Sequence, residues 1–176
     1  FYYFMHFFQI DNSCFARRIM LYYELLLIYC LLEADTDMKV EMHTHTSETS
    51  PCAHICAQDV IKMYKEAGYD TVVITDHYSK WVFEKNGAKT PDEVTSHFLK
   101  GYKTALGCAE TYDINVLLGC EVTLTESPND YLLYGVNEDF FHTHPFLYNL
   151  SLEELSEICH NENILIVQAH PNRAYC

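Results

Sequence analysis

Basic residues are scarce: 11 Lys and Arg face 25 Asp and Glu, for a formal net charge of −14. This excludes a protein that grips nucleic-acid backbone through a broad basic surface, and a small anionic ligand would need a local cation such as a metal ion. Glycine (6) and proline (5) are few while aromatics reach 14%, which excludes collagen-like and low-complexity disordered chains. Paired CxxC units are absent, and the 8 cysteines are scattered along the chain. They read as reduced thiols of a cytoplasmic protein. The cluster Cys52-Ala-His54-Ile-Cys56 lacks the four ligands at finger-like spacing that an independent zinc knot requires. A long apolar run is also missing. The stretch Ile19 to Leu32 has 14 residues, contains Glu24 and carries no small-x-small cleavage site. A membrane span needs about 20 apolar residues, so none is expected.

What is present is enough apolar material for one core: 176 residues, 49% of them hydrophobic, fit one domain. Residues 1–37 differ in composition from the rest, and Met38-Lys39-Val40-Glu41-Met42-His43 reads as a fresh start leading into a strand. The expectation is an apolar extension over 1–37 and a folded domain over 38–176. From Met38 onward short β-branched runs alternate with helical stretches, the pattern of strand-helix-strand units around a parallel sheet. Strands are expected at 39–42, 71–75, 116–122, 131–136 and 164–168. Helices are expected at 58–67, at 91–112 with Thr90 as N-cap, and at 151–161, where Ser151 and Glu154 form a capping box.

Four strand ends carry chemistry. His43-Thr44-His45 places two imidazoles on one face of a strand, because residues i and i+2 project together. Thr75-Asp76-His77 ends a buried strand. Glu121, in Gly119-Cys120-Glu121-Val122, is a carboxylate within an apolar strand and needs a cation. Ala169-His170-Pro171 follows another apolar run. Each is weak alone, and together they bring His, Asp and Glu to one mouth of a sheet or barrel.

The ordered set His43-x-His45-Thr46-Ser47, Thr75-Asp76-His77, Gly119-x-Glu121 and Ala169-His170-Pro171 resembles the PHP (polymerase and histidinol phosphatase) family. That resemblance spans about Met38 to Arg173. It implies an α/β fold, a distorted (βα)7 TIM-like barrel with two or three divalent metal ions at the carboxyl ends of its strands, and phosphoester hydrolysis. Carried over, His43 and His45 bind a first metal, Glu121 bridges two, His170 completes a second site and His77 serves a third. Asp76 matches the motif as a catalytic residue or as one that orients an imidazole or a water. For a further ligand shortly after the first motif, His54 is the nearest candidate and Glu48 its competitor. Arg173 either steadies a phosphate through a bidentate contact or is a solvated surface residue.

Two departures from the family pattern stand out. Asn137-Glu138-Asp139 occupies the place where three-metal members carry a His, with His142 and His144 just beyond. The closing Asp-x-His motif would fall after Cys176, so the expectation is the first two thirds of a barrel, incomplete at the C-terminus. The resulting reading is a metal-dependent phosphoesterase of the histidinol-phosphatase type, acting on a small phosphomonoester, with no stable nucleic-acid partner. A nucleotide or oligonucleotide phosphoesterase and a non-catalytic metal-binding fragment are the alternatives. His and carboxylate ligands favour Mn, Fe or Zn over Mg.

Overall fold

In the computed structural model of the chain, residues 38–172 are described. The extension over 1–37, with its Ile19 to Leu32 run, and Arg173 lie outside the described residues. Strand β1 (Val40–Thr44) leads through a tight loop to helix α1 (Ala57–Glu66), then β2 (Thr71–Ile74) and β3 (His77–Ser79). Helices α2 (Lys80–Lys85) and α3 (Pro91–Tyr112) precede β4 (Asn115–Thr123) and β5 (Asp130–Tyr134). Helix α4 (Glu138–Thr143), a 3-10 turn (Leu147–Asn149), helix α5 (Leu152–Asn161) and β6 (Leu165–Gln168) complete the order.

The helix starts follow local chemistry. Thr90 accepts from the Glu93 N–H while Glu93 accepts from the Thr90 N–H, with Pro91 in the first turn. Ser151 and Glu154 make the same reciprocal pair at α5. Each box satisfies two backbone donors that a helix start otherwise leaves orphaned. The turn after α3 is closed by Asp113, whose φ of 50° is left-handed.

The sheet runs β1-β2-β4-β5-β6, with β3 paired to β4. Strands β1, β2, β3 and β4 are mutually parallel, whereas β5 is antiparallel to both β4 and β6. The expected all-parallel sheet is therefore corrected at β5. The connection 124–129 between β4 and β5 is too short for a parallel crossover, which needs a dozen or more residues, so the chain folds straight back. Strand β6 then runs in the direction of β1, β2 and β4, and β5 alone is reversed. The simple alternation of strand and helix is also broken at β3, where the chain re-enters the sheet two residues after β2.

Two apolar clusters hold the sheet. Val72, Ile74, Ile114 and Val116 pack with Ala57 and Ile61 of α1 and Ala105 of α3. On the larger side Tyr78, Phe83, Phe98, Phe141, Leu133, Leu147 and Leu155 are buried together. Tyr78 and Phe83 thus belong to the core, and Trp81 between them is exposed. No helix among the described residues is long and apolar enough to cross a membrane.

Candidate metal centre

The parallel strands deliver their carboxyl ends to one mouth. Strand β1 ends at Thr44, so His43 and His45 flank the end of the strand. Strand β2 stops at Ile74, and the peptide of Asp76 joins the next layer, with the Glu121 N–H donating to the Asp76 carbonyl at 3.1 Å. Strand β4, nine residues long, overshoots β2 and pairs His77 directly with Glu121. On the far side the Ala169 N–H donates to the Asp130 carbonyl at 2.8 Å, and His170 follows with a φ of 49°. That left-handed backbone is uncommon for a non-glycine residue, and such conformations gather at functional sites.

Glu121 is fully buried, and four imidazoles surround its carboxylate. From Oε2, His77 Nδ1 is 3.0 Å away, His45 Nε2 3.2 Å and His43 Nε2 3.4 Å. His170 Nε2 is 3.1 Å from Oε1. None of the three nitrogens near Oε2 aims an N–H along a hydrogen-bonding line, and this buried oxygen has no hydrogen-bond partner. His43 Nε2 and His45 Nε2 are themselves 3.1 Å apart. A buried acceptor without a donor, ringed by imidazole nitrogens, is costly for a protein alone and is an arrangement a divalent cation resolves. The residues present therefore fit the metal that the motif pattern implies.

Burial pushes the Glu121 carboxyl up, but the His43, His45 and His77 imidazoles outweigh it and hold the group well below the usual carboxylate range. Beside that carboxylate His43 keeps its proton more strongly than usual, despite burial. Burial lowers His77, which favours the neutral imidazole that metals require.

Among the described residues two groups of donor atoms converge within 4.8 Å: His43, Glu121 and His170, and then His45, Cys52 and His77. Glu121 stands between them. His54 belongs to neither group. It is exposed and lines a cavity of about 550 Å3 together with His43, His45, Cys52, Tyr64 and Tyr69. The other candidate for that place, Glu48, accepts the Ala57 N–H at 3.0 Å and holds the start of α1. Cys56 turns its thiol to Asp59 at 3.3 Å. The Cys52–Cys56 stretch therefore does not fold as one knot.

Asp76 is almost wholly buried and serves as an anchor. Its Oδ1 accepts from the Thr46 N–H at 2.7 Å and the Ser50 hydroxyl at 2.6 Å, and its Oδ2 accepts from the Thr46 hydroxyl at 2.6 Å. Burial raises its carboxyl, and the Ser50 and Thr46 bonds work against that rise. Ser50, which no sequence signal singled out, is the hub. It also accepts the His77 N–H at 2.9 Å and lies 3.4 Å from His45 Nδ1. The partner on Nδ1 sets which face His45 turns to the cluster. Ser50→Ala should cost about 1–3 kcal/mol, because it leaves the His77 N–H without a partner and takes from Asp76 Oδ1 one of its two donors. Urea denaturation of the metal-free chain checks this.

The remaining sequence candidates lie elsewhere. The Asn137 side chain caps α4 by accepting the Phe140 N–H at 2.9 Å, and His144 pairs with Glu162 at 2.8 Å. Because β5 is reversed, its start and not its end faces the mouth. Asp130 thus lines a cavity of about 350 Å3 with His77, Cys52, Thr123 and Lys85.

The PHP domain family matches residues 41–172. No curated protein matches the chain. Among solved structures, a two-domain protein from Bacteroides vulgatus, described as containing a predicted PHP-like metal-dependent phosphoesterase, is 13% identical with a TM-score of 0.53. That match covers 73% of this chain and 34% of the other. A protein from Bifidobacterium adolescentis assigned as a metal-dependent phosphoesterase is 18% identical over 55% of this chain and 27% of its own, with a TM-score of 0.38. An amidohydrolase from Chromobacterium violaceum with bound sulfate is 19% identical over 54% and 26%, with a TM-score of 0.36. The chain thus spans about a third of the length of the first of these structures.

Proposed function

The chain belongs to the PHP domain family, and from that premise we propose that it carries the metal centre of a hydrolase that releases phosphate from a small phosphomonoester, of the histidinol-phosphatase type. The observation that carries this reading is the buried Glu121 carboxylate ringed by four imidazoles at the mouth of the sheet. We take the sheet as part of a distorted seven-unit barrel. His43, Glu121 and His170 would hold one ion, and Glu121 would reach toward a neighbour.

Divalent ions held in this way make hydroxide available near neutral pH and offset the charge that develops on a transferring phosphate. The protein's part is placement. Glu121 supplies anionic charge where water cannot reach it. Ser50 and Asp76 fix the loop that carries His45, so the imidazole needs little reorganisation when the ion arrives. The cavity of about 550 Å3 beside His43 and His45 bears no Lys, Arg, Asp or Glu among its lining residues. It suits the organic part of a small substrate better than a polyanion.

The test is phosphate release by the full 176-residue chain, with metal content measured on the same sample. Histidinol phosphate is compared with mononucleotides and a short oligonucleotide. The expected result is turnover of the small phosphomonoester that falls at least 100-fold in a His43→Ala, His45→Ala control, since loss of outer-shell partners alone costs about 10–100-fold. Preference for the nucleotides would move the reading to a nucleotide phosphoesterase. Metal uptake without turnover of any substrate would leave a binding fragment.

A further inference from the structure

Cys52 lies on the loop where the family resemblance implies a further ligand, and it is this thiol, rather than His54 or Glu48, that converges with His45 and His77. Its position is not a loop accident. After β1 the chain makes a tight coil in which the Ser50 N–H donates to the Thr46 carbonyl at 2.9 Å and the Ala53 N–H to the Ser50 carbonyl at 3.0 Å. The Ser50 side chain then ties this coil to both Asp76 and the His77 N–H. Cys52, two residues on, is thereby pinned beside His77 by buried polar bonds. Its sulfur and one nitrogen from each of His45 and His77 lie within 4.8 Å of one another. The two rings stack with centroids 4.4 Å apart and planes 16° from parallel.

We infer that His45, Cys52 and His77 form a thiolate-bearing cation site that selects zinc-class metals over manganese and magnesium. The reason is ligand chemistry: a thiolate is a soft donor that suits zinc and fits poorly with hard, oxygen-preferring ions. Three protein ligands with an open fourth position make a recognised zinc arrangement. The open side here is the cavity lined by Cys52, His77, Thr123 and Asp130. Binding forms a sulfur–metal bond and releases the thiol proton to solvent, with no change in oxidation state. His54 and Cys56 do not compete for this ion, because His54 is outside the group and Cys56 turns to Asp59.

The site shares His45 with the metal centre proposed above and has Glu121 as its neighbour, so the two readings are told apart by what is measured, a thiolate signature here and phosphate release there. Cobalt(II) serves as the probe, because a thiolate ligand adds a sulfur-to-cobalt charge-transfer band in the near ultraviolet that nitrogen and oxygen ligands do not. The full chain loaded with cobalt should show this band. Cys52→Ser should lose it, while Cys56→Ser keeps it. His170→Ala, which dismantles the other group, should also keep it. Failure of phosphate release with the band intact would count against the phosphoesterase reading alone. Absence of the band in the loaded chain, failure to take up cobalt, or persistence of the band in Cys52→Ser would overturn the inference. A second measurement needs no variant: zinc should protect Cys52, but not Cys56, from alkylation as read by mass spectrometry of the wild-type chain. Equal labelling of Cys52 with and without zinc would also overturn it.

Discussion

Glu121→Gln abolishes the stabilisation that added manganese gives to the chain while leaving the metal-free fold in place. The carboxylate is fully buried and lies within 3.4 Å of four imidazole nitrogens. An amide keeps its shape but brings no charge to a divalent ion, and it turns an N–H₂ toward atoms that must act as donors to metal. For the wild-type chain, metal at about 100 times its Kd should stabilise the fold by about 2.7 kcal/mol. For the variant the increment should be near zero. Without metal the change should be small, because removing a buried charge also removes its desolvation cost. Thermal melts with and without added manganese, with metal content by elemental analysis, check both halves. A variant that keeps the full metal-induced rise would refute the role of Glu121.

The same site gives a pH dependence with a definite sign. Glu121 raises the proton affinity of His43 above the ordinary 6.5, so protons compete with metal at that nitrogen. Metal-induced stabilisation should be present above that raised value and fade as pH falls through it. The metal-free chain should show the opposite trend for this group. Protonated His43 beside Glu121 contributes stability that is fully present below 6.5 and lost as pH rises through the raised value.

Gly101→Ala should be the most damaging single methyl in the described fold. Gly101 lies on α3 against the loop after β1, and a Cβ there would overlap Thr46 Oγ1 and Asp76 Oδ2. Neither atom is a flexible end, since they are bonded to each other at 2.6 Å. The Gly101 N–H also donates to the Thr49 hydroxyl at 3.2 Å, so helix and loop are locked together. Overpacking costs about 1–3 kcal/mol, and breaking the Asp76 network adds about 1–3 kcal/mol. A loss of about 2–6 kcal/mol is a large part of a domain's net stability. Metal affinity should fall with it, because Ser50 and His45 ride on the same loop. Gly107 is the control: it sits in the same helix with nothing within 4 Å of its added Cβ, so Gly107→Ala should stabilise by about 0.5–1 kcal/mol. Chemical denaturation of the two variants side by side gives the comparison, and equal effects would remove the packing argument.

Much of this molecule is legible along the chain. The start of α3 at Pro91 follows from Thr90, Pro91 and Glu93, because a capping box acts within one turn. The buried run Thr71–Ile74 and the longer β4 are apparent from β-branched and apolar residues in sequence. His43, His45, His77, Glu121 and His170 stand out because strand ends in parallel sheets share one mouth. Strand β3 and helix α4 are less apparent. Strand β3 has three residues and α4 six, too short for any period to declare itself.

What sequence alone determined is the inventory: metal-capable residues at each of four strand ends, in the order of the PHP family. What the tertiary structure decided is which atoms meet. His54 and Cys52 are two residues apart and both can bind a metal, yet of the two Cys52 joins His45 and His77, because Ser50 bends the loop toward Asp76. Asp130 reaches the mouth only because a short connection forces β5 to run backwards. Gly101 matters only because Thr46 and Asp76 arrive against it from residues 55 and 25 positions earlier in the chain. Caps and periods act over a few residues and can be read locally. The meeting of ligands depends on backbone paths closed by hydrogen bonds between distant segments, and those are fixed only when the whole sheet has formed.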